Sequence, residues 1–158
     1  MTITVSFALD VTHTFLNFAC YSSSGCMFVR VDEEGIYSYT SPTHNDPSAV
    51  CSLYIATDPT QVVEFQFMEF SVSCLDGGVV SLIDGWELNG QFFPSELDHA
   101  LPREKRYMEF CGSSPPSTKY VTNQNVGLIE FRIPTPGQGF RVLVKFHENP
   151  MRKDQTGN

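Results

Sequence analysis

Cys74-Leu75-Asp76-Gly77-Gly78-Val79-Val80-Ser81-Leu82-Ile83-Asp84-Gly85-Trp86 is the stretch on which the fold turns. Val79 to Ile83 is a short apolar run of strand length, and Asp84-Gly85 stops it with a turn, the pattern of a buried β-strand. The residues between Trp86 and Cys111 predict an ordered loop. Pro94 and Pro102 preset backbone angles and remove donors. Trp86, Phe92, Phe93 and Tyr107 bring enough apolar area to pin that loop down. Cys74 and Cys111 bracket the stretch, and a cystine between them would restrict the unfolded chain by about 3 to 4 kcal/mol in the loop-entropy picture.

Upstream, Met27 to Val31 is β-prone, Asp32-Glu33-Glu34-Gly35 predicts a turn, and Ile36 to Thr40 alternates with Tyr37 and Tyr39 on one face. Together they predict a hairpin. Cys51 to Ala56 is a further strand, stopped at Asp58-Pro59. Val63, Phe65 and Phe67 alternate with Glu64 and Gln66, but the apolar phase slips at Met68-Glu69, so a bulge or corner is expected there. Downstream, Gly112 to Ser117 reads as loop, Val126 to Ile133 as strand and Pro134 to Gly139 as turn. Phe140, Val142, Val144 and Phe146 then face one way, Arg141 and Lys145 the other. No window carries a sustained helical period. Eight or more short strands between turns predict an all-β sandwich, over residues 26–146, with a divergent amino-terminal segment at 1–25 and a polar tail at 147–158.

The 158 residues, 41% hydrophobic and 18% charged, suffice for one domain. A net charge of −8 and a pI near 4.8 disfavour nucleic acid or an anionic membrane as partner and are compatible with a basic one. Met1 to Ala19 is moderately apolar but lacks a basic start and is broken by Asp10 and His13, which makes a poor signal peptide. Processing near Cys20, leaving an even cysteine count, and a truncated or alternative start are the two readings of that segment. No run approaches a membrane span. The five cysteines form no C-x-x-C pair and no Cys/His cluster of the kind zinc requires.

Asp84-Gly85-Trp86, Leu88, Gly90, Phe93-Pro94-Ser95, Asp98-His99, Leu101-Pro102, Arg106-Tyr107 and Phe110-Cys111 resemble the amino-terminal part of the corticotropin-releasing factor-binding protein family. Gln124-Asn125-Val126, Phe131-Arg132 and Pro136-Gly137-Gln138-Gly139-Phe140 continue the match. The resemblance implies a CUB-like jelly-roll β-sandwich of short antiparallel strands, with Cys26 bonded to Cys51, Cys74 to Cys111, and Cys20 left over. Such cystines imply an oxidising compartment. It also implies a secreted, extracellular protein without cofactors that sequesters corticotropin-releasing factor or urocortin-type peptides and limits receptor activation. Family members normally carry a second domain, which is expected to be absent from this chain. The alternative expectation is therefore a truncated CUB-like interaction module without independent hormone binding. Tyr21 to Gly25 departs from the family's more charged pattern, so no peptide-contact residue is carried over.

Catalysis is not expected. The histidines at 13, 44, 99 and 147 are scattered, and Asp98-His99, being adjacent, reads as a hydrogen-bonded loop anchor and not as a dyad. Gly137-Gln138-Gly139 lies between strands, with no helix start to hold a phosphate. Calcium needs several convergent oxygens; the positions where CUB domains place two aspartates fall at Gly78 and near Ile133-Pro134, and Asp76 and Glu69 read as a turn acid and an edge glutamate. No metal site is expected. Trp86 reads as core, with an exposed peptide anchor as the alternative. One of Phe92 and Phe93 should remain accessible. Glu33-Glu34 and Arg103 to Arg106 read as solvated turns, with an inward Arg106, which lies in the matching motif, as the alternative.

Overall fold

The structure is a computed structural model and describes residues 15–18 and 26–151. In chain order its elements are β1 (Phe15–Phe18), β2 (Cys26–Val31), β3 (Gly35–Thr40), β4 (Cys51–Ala56), β5 (Gln61–Ser71) and β6 (Val79–Ile83), then β7 (Trp86–Leu88), β8 (Gln91–Phe93), a 3-10 turn (Arg103–Lys105), β9 (Tyr107–Phe110), β10 (Tyr120–Val121), β11 (Val126–Arg132) and β12 (Gly139–Glu148). Ten of these strands make two five-stranded sheets, ordered β1-β3-β12-β5-β10 and β2-β4-β11-β6-β9, while β7 and β8 form a separate hairpin. The leader reading of Met1 to Ala19, the fate of Cys20 and the Tyr21 to Gly25 segment lie outside the described residues, apart from Phe15–Phe18, which pairs in parallel with β3.

Period-two alternation explains why the sheets stack. Phe28, Leu53, Ile55, Val80, Leu82, Ile129 and Phe131 project from one sheet onto Tyr37, Tyr39, Val63, Phe65, Phe67, Phe140 and Val142 of the other. Aromatic edges meet faces in this layer; the Phe131 and Phe140 rings lie 5.0 Å apart at 83°. Among the described residues two disulfides close the sandwich, Cys26–Cys51 between β2 and β4 and Cys74–Cys111 beneath the β6 end. Gly139 is required by close approach: a Cβ there would stand 1.9 Å from the Tyr39 carbonyl oxygen.

Three details differ from the sequence expectation. Asp32-Glu33-Glu34 does not turn a hairpin; it carries the chain from one sheet to the other, so β2 pairs in parallel with β4 and β3 pairs with β12. Phe28 and Tyr37 can then face each other across the core, which a hairpin within one sheet forbids. The loop after Trp86 contains a hairpin, and Tyr107–Phe110 is an edge strand on β6. Finally, β12 runs on through His147 and Glu148, and Asn149 is buried with its N–H donated to the Thr60 carbonyl; backbone pairing with β5 continues after the apolar alternation has ended. The slip at Met68-Glu69 is a bulge: Arg141 pairs with Glu69 and Val142 with Phe67, leaving Met68 as the extra residue.

Candidate functional site

Residues 84–107 are held by a buried polar anchor. Asp84 ends β6 with its backbone N–H donated to the Arg106 carbonyl, 2.9 Å. Its carboxylate accepts the Asn123 backbone N–H at 3.0 Å and the Asn123 amide at 2.5 Å. His99 Nε2 stands 3.2 Å from Asp84 Oδ1, off the line of a straight hydrogen bond, with both side chains essentially inaccessible. His99 Nδ1 lies 2.9 Å from the Leu101 backbone nitrogen and 3.1 Å from the Leu101 carbonyl oxygen, which fixes the ring against this turn. Arg106, 1% exposed, donates Nε to Leu101, Nη1 to Pro94 and Nη2 to Ser95 carbonyl oxygens at 2.9, 2.6 and 3.3 Å. One guanidinium thus gathers three loop carbonyls.

This anchor explains the motif. Gly85 has φ +122°, and a Cβ there would fall 2.5 Å from the Phe93 carbonyl oxygen, so the hairpin closes only over glycine. The Phe93–Pro94 peptide is cis. Asp98 does not partner its neighbour His99; it is exposed and accepts the Ser95 hydroxyl at 2.7 Å. His99 is walled in with both ring nitrogens facing protein groups, which gives it no access to a substrate. The sequence signal for the true pair, Asp84 with His99, is absent because the fold brings them together across 15 residues.

Above the anchor, the β7–β8 hairpin lies on the outer face of the β2-β4-β11-β6-β9 sheet. Trp86 covers Tyr54, Ile83 and Leu128 there, with Tyr107 beside them. Its indole donates to the Ile55 and Gly127 carbonyl oxygens, both at 3.1 Å, and its ring meets Tyr54 edge-on at 5.4 Å. Trp86 is therefore half-buried against the outer face and lies outside the core between the sheets. Phe92 packs on Tyr107 under the Arg103 guanidinium, whereas Phe93 is exposed.

The hairpin leaves part of that face open. Across it the register aligns Met27, Ser52, Glu130, Ser81 and Glu109 in one row. Met27, Val29 and Val31 on edge strand β2, and Val50 before β4, are exposed apolar side chains. A hollow of about 230 Å³ beside the row is lined by Val50, Val79, Ser81, Glu130, Phe131 and Arg132. The Glu130 carboxyl has no hydrogen-bond or ion-pair partner among the described residues. Burial, and next the like charge of Glu87, push it above the usual range. Sequence reading missed Glu130, since a lone acid in an apolar strand carries no pattern. Asp76 accepts the Thr135 hydroxyl near the Cys74 turn, and Glu69 pairs with Arg141 on the other sheet; each already has a protein partner.

The two-sheet architecture, with two disulfides among the described residues, is an all-β sandwich whose motif residues build a scaffold under a surface. The chain belongs to the corticotropin-releasing factor binding protein N-terminal domain family, which matches residues 20–148. The corticotropin-releasing factor-binding protein of Ovis aries is 36% identical over 99 residues, covering 63% of this chain and 31% of the relative. The chain spans about a third of the length of the curated relatives it matches. Among solved structures, the full extracellular region of zebrafish Gpr126/Adgrg6 is similar over 79% of this chain and 15% of that one, at 20% identity and TM-score 0.54, a likeness of fold alone. The CUB1-EGF-CUB2 domains of rat MASP-1 align over 77% of this chain and 42% of that one, at 14% identity and TM-score 0.48.

Proposed function

We propose that this chain is an extracellular binding protein that captures corticotropin-releasing factor or urocortin-type peptides and limits their access to receptor. The observation that carries the reading is family membership across residues 20–148, with relatives whose name states the ligand. Capture is equilibrium sequestration without chemistry, and the sandwich over residues 26–146 is its binding unit. The two disulfides suit an oxidising, extracellular setting. No helix among the described residues is long and apolar enough to cross a membrane. The net charge of −8 favours encounter with basic peptide segments.

Calorimetric titration of the oxidised chain with a corticotropin-releasing factor-type peptide from its own source tests the reading. Saturable one-site binding, abolished when the disulfides are reduced, is the expected result. Absence of heat from a folded protein with both cystines intact would overturn it and assign the chain a role as an interaction module without independent hormone binding.

A further inference from the structure

We infer that the open half of the outer sheet face, floored by Ser52, Glu130 and Ser81 and bordered by the β7–β8 hairpin, seats an amphipathic helix, with a basic side chain of that helix paired to Glu130. The inference rests on the capture reading and adds the place and the chemistry of contact.

Geometry argues first. From β2 to β9 the row crosses four strand spacings of about 4.8 Å, a path of about 19 Å. That is the length of about thirteen helical residues at 1.5 Å each, enough for three successive contacts on one helix face. Met27, Val29 and Val50 offer apolar surface at one end of the path, and Val79 continues it inside the hollow. The outer positions of the same sheet nearer its other end already carry Trp86, so this face is built to be covered, and the chain covers only part of it.

Charge selects the occupant. Glu130 stands half-buried in the floor, its carboxyl without a partner among the described residues, Glu109 closes the row, and Glu87 of the hairpin faces the same space. Arg132 borders the hollow, but its Nε is engaged by the Gly77 carbonyl oxygen at 2.9 Å. An apolar helix would leave Glu130 desolvated and unpaired, whereas a helix with a lysine or arginine facing the floor supplies the missing countercharge.

Titration of the full oxidised chain with a synthetic corticotropin-releasing factor-type peptide, comparing parent and variants, tests the assignment. Glu130→Arg and Val29→Glu should each weaken binding at least tenfold, Glu130→Gln several-fold, and Lys145→Glu on the outer face of the other sheet less than twofold. Melting curves identify folded variants; should Glu130→Arg fail to fold, Glu130→Gln and the exposed-edge Val29→Glu decide. A parent that binds while folded Glu130 and Val29 variants bind within twofold of it overturns this site and leaves the capture reading standing. A folded parent that does not bind overturns both.

Discussion

Asp84 and Glu64 are both buried carboxylates at the margin of a sheet, yet they are satisfied by opposite means. Asp84 is met by groups that cannot leave: a backbone N–H, the Asn123 amide and a ring with no exposed surface. Glu64, on the outer face of the other sheet, is met by Lys119 Nζ at 3.0 Å and His147 Nε2 at 2.9 Å, side chains that are 54% and 46% exposed. Fixed donors convert a carboxylate into a structural joint, because their order is part of the fold and costs no further side-chain entropy. Mobile donors only lower the cost of burying it. The first arrangement holds residues 84–107 over a sheet face, and the second dresses a surface.

Breaking the joint should give the largest effect. Arg106→Met removes the donor to Leu101, Pro94 and Ser95 at once. Each carbonyl left dry costs about 1 to 3 kcal/mol, so a total loss of at least about 3 kcal/mol is expected from urea unfolding, together with rapid amide exchange across 94–106. A loss below about 1 kcal/mol would show that water replaces the guanidinium and that the joint lies elsewhere.

Acidification tests the mobile donors of Glu64 more gently. Burial pushes Glu64 up, but the hydrogen bonds and charges of Lys119 and His147 outweigh it and hold the carboxyl below the usual glutamate range. Lys145 is its cross-strand partner and adds positive charge on the same face. Because the folded value is the lower one, the contribution is whole above the ordinary glutamate range near 4.5, declines as the pH falls through it, and is gone below the folded value. Comparing parent with Glu64→Gln from pH 7 to 3 should show the two stability curves converging as the pH falls. Parallel curves would mean that Glu64 titrates as it does in the unfolded chain.

Local rules made the strands legible and left the joint unseen. Alternation in Phe140 to Phe146 and the slip at Met68-Glu69 are both readable in advance, because side chains lie every second residue on one face of a strand. The parallel pairing of β2 with β4 is a long-range choice: Asp32 to Glu34 looks the same whether the chain returns to its own sheet or crosses to the other. The Cys74–Cys111 bridge is implied by family resemblance alone, since spacing does not fix connectivity. Arg106 sits in a charged run that reads as a solvated turn, and its burial corrects that reading, because the carbonyls it gathers converge only in the folded loop. Glu130 was illegible for a related reason. What marks it is a missing partner, and partners across β4, β11 and β6 exist only after folding.

The smallest expected effect lies at the mobile donors. Lys119 reaches Glu64 from β10's approach with 54% of its side chain in solvent, so the pair is screened and its long chain loses entropy when held. Lys119→Ala should cost about 0.2 to 1 kcal/mol at low salt and less at high salt, because His147 still faces the other carboxylate oxygen. A double-mutant cycle with Glu64→Gln isolates that pairing. If the coupling instead approaches the loss seen for Arg106→Met and ignores salt, Glu64 is held as rigidly as Asp84, and the division between fixed and mobile donors fails.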